Sequence, residues 1–172
     1  TKLHEVKQGQ TVKLGKFAIE FISSCHSIPD AVMLAIHSPV GTVLHTGDFK
    51  IDYTPIDGKK MDLGRIAELG NKGILALMSD STNAERKGFT MSESSVGEVI
   101  DKLFINCKKR IVVATFASNV HRVQQIVDCA VKYGRKIAIC GRSMQNMIEA
   151  AMKIGYIKVE KNVFIDIDMI KN

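Results

Sequence analysis

Residues 111–140 read IVVATFASNVHRVQQIVDCAVKYGRKIAIC, and this stretch decides the fold class. Ile111-Val-Val-Ala114 is a short apolar run rich in β-branched residues, which predicts a strand. Val120, Val123, Val127, Ala130 and Val131 then recur at helical spacing. Lys136-Ile-Ala-Ile-Cys140 predicts a second strand. Met144, Met147, Ile148, Ala151 and Met152 predict a further helix, which Gly155 ends. Upstream, Thr90-x-x-Glu93 has the form of a capping box. It would open a helix carrying Val96, Val99, Ile100, Leu103 and Phe104 at its apolar positions. Helix, strand, helix, strand, helix is the rhythm of a parallel, doubly wound α/β sheet. The methionine stripe is expected to fill core.

The first half is built differently. Phe17-Ala-Ile19-Glu-Phe21 alternates and predicts a strand, as do Ala31 to His37 and Thr42 to His45. Ser38-Pro-Val-Gly41 between the last two supplies hairpin turn chemistry. Asp62 is a candidate N-cap for a short helix with Leu63, Ile66 and Ala67 on one face and Gly70 at its end. Ile74 to Met78 reads as a buried strand. The polar segment Ala84 to Gly88 marks a boundary, giving one domain over residues 1–85 and a second over 86–172.

Composition bounds the function. The chain has 172 residues, 45% of them hydrophobic and 24% charged, with three prolines. That is the composition of a packed globular chain. Its formal net charge is +6. From Lys102 to Arg142 there are nine Lys or Arg and a single acid, Asp128, while the remainder is slightly acidic. A cationic segment of this kind suits a polyanionic partner, although solvated helix faces give the same count. The four cysteines show no CxxC spacing, and no run is long and apolar enough to span a membrane. A cytoplasmic chain with reduced thiols is expected.

Two loops could carry chemistry. One is Ser24-Cys25-His26-Ser27-Ile28-Pro29-Asp30, and the other is His45-Thr46-Gly47-Asp48-Phe49-Lys50. Each sets a metal-capable side chain beside a strand end. An imidazole and a carboxylate suit zinc or manganese. On spacing alone, His26 reads first as a structural histidine and Asp48 as turn chemistry. In the second half, Ser118-Asn119-Val-His121-Arg122 and Gly141-Arg142-Ser143 follow predicted strands at helix starts. Free N–H groups there attract phosphate, and Arg122 and Arg142 add bidentate donors. Ser118 and Ser143 are expected to be N-caps. With no Trp and 6% aromatics, backbone recognition is favoured over base stacking.

His26-Ser-Ile-Pro-Asp30, followed by Asp48 in Thr-Gly-Asp-Phe-Lys, is similar to the late metal motifs of the ribonuclease J-type β-CASP nucleases, in the metallo-β-lactamase superfamily. Ser79-Asp80-Ser-Thr-Asn-Ala-Glu85, Ala114 to Arg122 and Gly141-Arg-Ser-Met144 resemble that family's further segments, in the same order along the chain. The resemblance implies the later part of a metallo-β-lactamase αββα domain, followed by part of a β-CASP domain with a parallel, doubly wound sheet. It implies a metal-dependent ribonuclease acting as a 5′-to-3′ exonuclease and endonuclease. Two divalent cations are implied, zinc with manganese as the alternative. His26 would be a ligand of one, Asp48 would bridge both, and Asp80 would orient a downstream histidine. RNA would meet Ser118, Asn119, His121, Arg122, Arg142 and Ser143.

The family's His-x-His-x-Asp-His run would lie before Thr1, and its later histidines and Gly-Ser-Gln-Gly loop beyond Asn172. The chain is therefore expected to be an internal fragment, inactive alone and holding metal weakly or not at all. A homo-oligomer, dimeric or tetrameric, is implied for the full-length enzyme. Self-association or loose packing of the first half is expected in the isolated chain. Two other readings stand beside this one: a DNA-acting β-CASP nuclease, and a non-catalytic RNA- or partner-binding module.

Overall fold

The computed structural model describes residues 2–170. They form two compact units. One comprises residues up to His26 and Asp30–Met91, the other Ser27–Pro29 and residues from Ser92 onward.

The first unit is a five-stranded mixed sheet in the order β1-β2-β3-β4-β5. Its strands are β1 (Thr11–Leu14), β2 (Phe17–Ser23), β3 (Val32–Ser38), β4 (Gly41–His45) and β5 (Ala76–Met78). The first four pair antiparallel, and β5 runs parallel to β4. Ser38 pairs with Gly41 across the Pro39-Val40 turn, as the turn chemistry predicts. Helix α1 (Leu63–Lys72) supplies the cover. Its N-cap is Asp62, whose carboxylate accepts the Arg65 amide at 2.9 Å. It runs three residues past Gly70 to a C-cap at Gly73, whose N–H bonds Gly70 O.

Because side chains alternate along a strand, Glu20, Ile22, Met33, Ala35 and Leu44 share one face. Ile22, Met33, Ala35 and Leu44 make the core there with Cys25, Met61 and Leu69. Glu20 sits at the margin of that core. Arg65 of α1 grips it through Nε at 2.6 Å and Nη2 at 3.0 Å, and His37 Nε2 lies 3.1 Å away. The Arg65 guanidinium, helped by His37, holds the Glu20 carboxyl below the usual range. Strand β5 corrects an expectation. Leu75, Leu77 and Met78 are all more than half exposed, because β5 is the edge strand and only β4 flanks it.

The second unit stacks α2 (Glu93–Asn106), α3 (Val120–Lys132) and α4 (Arg142–Lys153) with a small parallel pair, β6 (Ile137–Ala138) and β7 (Phe164–Ile165). Its main core is Val120, Val123, Val127, Ile148, Ala151 and Ile157, with Met144, Met147 and Met152 packed against it. The methionine stripe is core filling. Both α3 and α4 end in Schellman motifs. Arg135 N bonds Ala130 O and Gly134 N bonds Val131 O, and Tyr156 N bonds Ala151 O and Gly155 N bonds Met152 O. Gly134 and Gly155 take the left-handed conformation that these motifs require, at φ 63° and 80°.

Three expectations fail in this unit. Residues 111–114 join no sheet. Strands exist by pairing, and β6 pairs only with β7. Ile111 to Val113 instead line an apolar groove of about 460 Å³ that residues 136–140 also line. Helix α2 is capped by Ser92 and not by Thr90. Glu93, freed from a capping box, pairs with Arg122. Finally, Asn119 caps α3 and Gly141 occupies the cap position of α4. Ser118 thus lies one residue before the cap, and Ser143 lies inside the first turn.

Helices α2 and α3 meet at Gly97. A methyl group there would collide with Oε1 of the buried Gln125 and lie 3.2 Å from its Cδ. Alanine gains about 1 kcal/mol over glycine in a helix interior, but displacing a packed side chain costs about 1–3 kcal/mol. Gly97→Ala is therefore expected to destabilise by about 1 kcal/mol in urea unfolding. In a Gln125→Ala background the sign should reverse. Additive effects in that double-mutant cycle would mean the two residues do not touch.

Candidate metal centre and nucleic-acid segment

The three metal-motif segments all follow strand ends of the first sheet. His26 follows β2, Asp48 follows β4 and Asp80 follows β5. The loop after β2 closes through Ser24 N to Ala31 O at 3.0 Å, and Lys50 N bonds Cys25 O at 2.8 Å. That second bond ties the Asp48 loop to the His26 loop. His26 Nε2 and Asp48 Oδ2 stand 4.0 Å apart, with the Asp48 side chain largely exposed. Gly47 makes the intervening turn at φ 58°. A side chain on Gly47 would press on Val32 O at 3.3 Å. His45 Nδ1 accepts the Gly47 amide at 3.0 Å, which leaves the other ring nitrogen to carry the proton in the neutral form.

Asp80 closes the group. Its Oδ1 accepts the Thr82 amide at 2.9 Å. The Thr82 amide and hydroxyl, then the Phe49 amide and the charge of His26, hold its carboxyl below the ordinary range. The Phe49 amide belongs to the Asp48 loop, and Thr46 bonds that loop to Asp80 directly. Its Oγ1 accepts the Asp80 amide at 2.9 Å and donates to Gly47 O at 2.7 Å. Lys50 extends to Met91 O and lies 3.8 Å from Asp52 Oδ2. Neither Thr46 nor Lys50 is singled out by donor chemistry in the sequence. Their flanking positions in Thr-Gly-Asp-Phe-Lys were the available signal.

Metal–nitrogen and metal–carboxylate bonds are about 2.0–2.2 Å, so two donors on one cation cannot be much more than 4 Å apart. His26 and Asp48 fit as two ligands of one shell. Among the described residues no third His, Cys, Asp or Glu joins them as a metal-holding group, so these residues do not close the shell.

In the second unit the six candidate RNA contacts fall into two sorts. Asn119 is buried and its side chain accepts the Arg122 amide at 3.1 Å as the cap of α3. Arg122 is gripped by Glu93 at 2.8 and 2.9 Å, which raises the guanidinium pKa and occupies its fork. Ser118, Arg142 and Ser143 are exposed, and His121 is half-buried on the first turn of α3. No side chain caps the start of α4. The Lys102–Arg142 cations are partly committed elsewhere. Lys132 pairs with Asp101 at 2.7 Å, and Lys136 bonds Asn162 O at 2.7 Å. Among the described residues no helix is long and apolar enough to cross a membrane.

Comparison with known proteins places the chain. A family description, "Ribonuclease J, beta-CASP domain", matches residues 108–172. The Ribonuclease J of Synechocystis sp. is 51% identical over 173 residues, covering 100% of this chain and 27% of that protein. The Ribonuclease J of Helicobacter pylori J99 is 46% identical over 90% of this chain and 22% of its own. Ribonuclease J2 of Bacillus subtilis is 41% identical over 99% and 31%. The chain thus spans less than a third of the length of these relatives. A crystal structure of a protein of unknown function from Enterococcus faecalis V583 superposes with a TM-score of 0.68 at 16% identity, over 97% of this chain and 42% of that one, and this likeness concerns fold alone. With named ribonucleases J matching nearly its whole length and that enzyme's β-CASP domain matching its last third, the chain belongs to the ribonuclease J family.

Proposed function

We propose that this chain is part of the catalytic body of a metal-dependent RNA phosphodiesterase, acting as a 5′-to-3′ exonuclease and endonuclease in RNA processing and decay in the cytoplasm. Residues 1–85 would be part of a metallo-β-lactamase domain. Residues 86–172 would be part of a β-CASP domain whose parallel sheet becomes doubly wound in the longer protein. The observation that carries the reading is the 4.0 Å approach of His26 to Asp48 beside the hydrogen-bonded carboxylate of Asp80.

His26 would hold one divalent cation and Asp48 would bridge two, zinc or manganese. Such a pair polarises the scissile phosphate and supplies hydroxide at neutral pH. The chain's own residues do the positioning. The Lys50 amide and Cys25 carbonyl hold the His26 and Asp48 loops together, and the Asp80 amide is tied to the Asp48 loop through the Thr46 hydroxyl. Asp80, kept ionised, is suited to orient an imidazole supplied by the longer protein. RNA phosphates would meet the exposed start of α4 at Arg142 and Ser143, with Ser118 and His121 beside the start of α3. Asn119 and Arg122 would shape that surface, through the cap and the Glu93 pair. The full-length enzyme would be a dimer or tetramer.

A second reading, a non-catalytic RNA-binding module, is favoured by the absence of a third metal donor among the described residues. Metal content separates the two. The chain alone should hold little or no zinc or manganese and leave RNA intact. The same chain carried within a longer ribonuclease J polypeptide should hold two cations and cut RNA. Two tightly held cations on the short chain would require a different ligand set, and a longer protein free of metal would leave the binding module.

A further inference from the structure

We propose that Thr46 is the positioning residue that sets the Asp48 loop against the Asp80 loop. The inference rests on reading Asp48 and Asp80 as parts of the metal site. Strands β4 and β5 are parallel, and their ladder continues one step past His45 through Thr46 N to Met78 O at 3.0 Å. Beyond that step the two chains part, each toward its own acid. At the point of divergence the Thr46 hydroxyl takes over from the backbone. It accepts the Asp80 amide at 2.9 Å and donates to Gly47 O at 2.7 Å. A hydroxyl has one proton to give and lone pairs to receive, so one oxygen satisfies both loops at once.

On the other side of Asp48, the Phe49 amide is among the groups that hold the Asp80 carboxyl below its ordinary range. Gly47 and Phe49 flank Asp48, so the Thr46 oxygen ties the residue just before Asp48 to the Asp80 backbone. Thr46 is only 5% exposed, so its hydroxyl is largely shielded from water. Without it, the half-buried Asp80 amide and the Gly47 carbonyl lose their partner together.

The test compares Thr46→Val, which keeps the shape and removes the oxygen, with Thr46→Ser, which keeps the oxygen. Two quantities are read: hydrogen exchange of the Asp80 amide in this chain, and Mn²⁺ affinity of the chain carried within a longer ribonuclease J polypeptide. Thr46→Val is expected to speed Asp80 exchange by at least about tenfold and to weaken Mn²⁺ binding by about 10–100-fold, the usual effect of losing a partner that orients metal ligands. Exchange elsewhere in β4 and β5 should stay slow, and Thr46→Ser should restore both quantities. Unchanged Asp80 exchange in Thr46→Val overturns the latch. Faster exchange with unchanged Mn²⁺ affinity, while Asp48→Asn still loses the metal, reduces Thr46 to a structural role and overturns the proposal. If Asp48→Asn also leaves Mn²⁺ affinity unchanged, the metal reading falls and the proposal with it.

Discussion

Exchange of Asp48 for Asn is expected to cut RNA cleavage by at least about a thousandfold in the longer polypeptide, a loss of about 4 kcal/mol of transition-state stabilisation. Asparagine keeps the size of the side chain and removes the negative charge that would hold two cations close. The Asp48 side chain is 79% exposed and stands 4.0 Å from His26. Folding should therefore change little, within about 0.5 kcal/mol, as for an ordinary surface exchange. That contrast gives the experiment its force: a large loss of metal and activity on an unaltered fold. His26→Gln should lose metal as well, and the two exchanges together should cost little more than either alone, since both empty the same shell. Cleavage within tenfold of the parent for Asp48→Asn would remove this carboxylate from the metal site.

Much of the framework was readable because local pattern and tertiary outcome agree. The alternation through Phe17 to Phe21 and Ala31 to His37 puts one set of side chains under α1, and the Ser38–Gly41 turn fixes the register between β3 and β4. Asp62 caps α1, and Val120, Val123, Val127 and Ala130 face the core while Val131 is left half exposed, for reasons contained within a dozen residues. What was not readable depends on partners far along the chain. Ile111 to Ala114 carries the β-branched composition of a strand, but composition cannot supply a neighbour to pair with. The Ile74–Met78 run is apolar enough to be buried, and only its edge position leaves it exposed. Glu93 fits a capping box locally, yet it binds Arg122, 29 residues away.

The candidate site divides along the same line. His26 and Asp48 stand out by residue type and by their loops, and Asp80 only by the resemblance of the segment around it. The bonds between those loops, Lys50 to Cys25 and Thr46 to Asp80, are backbone or hydroxyl contacts with no mark in composition.

Ile22→Ala is expected to lower the stability of the first unit by about 2–5 kcal/mol, in the upper half of that range. Ile22 is 2% exposed and sits mid-sheet opposite Met33. Its neighbours in the core are Ala35, Leu44, Leu69, Cys25 and Met61. Ala35 has only a methyl group, too short to lean into a void, and Leu44 and Met33 are held in paired strands, so the cavity should persist. Ile22→Val removes one methylene and should cost only about 0.5–1.5 kcal/mol, which calibrates the scale within the same site. Both losses can be measured as shifts in the urea midpoint at constant m. A domain has only about 5–15 kcal/mol of net stability, so the alanine variant gives up a large share of it. The consequence reaches the candidate metal centre, because β2 ends at Ser23 and Cys25 belongs to the same core. The Lys50 amide, bonded to Cys25 O, should exchange faster in Ile22→Ala than in Ile22→Val. If Ile22→Ala costs under about 1 kcal/mol, the sheet face is not closed by α1 as described, and the loops that hold His26 and Asp48 must take their rigidity from elsewhere.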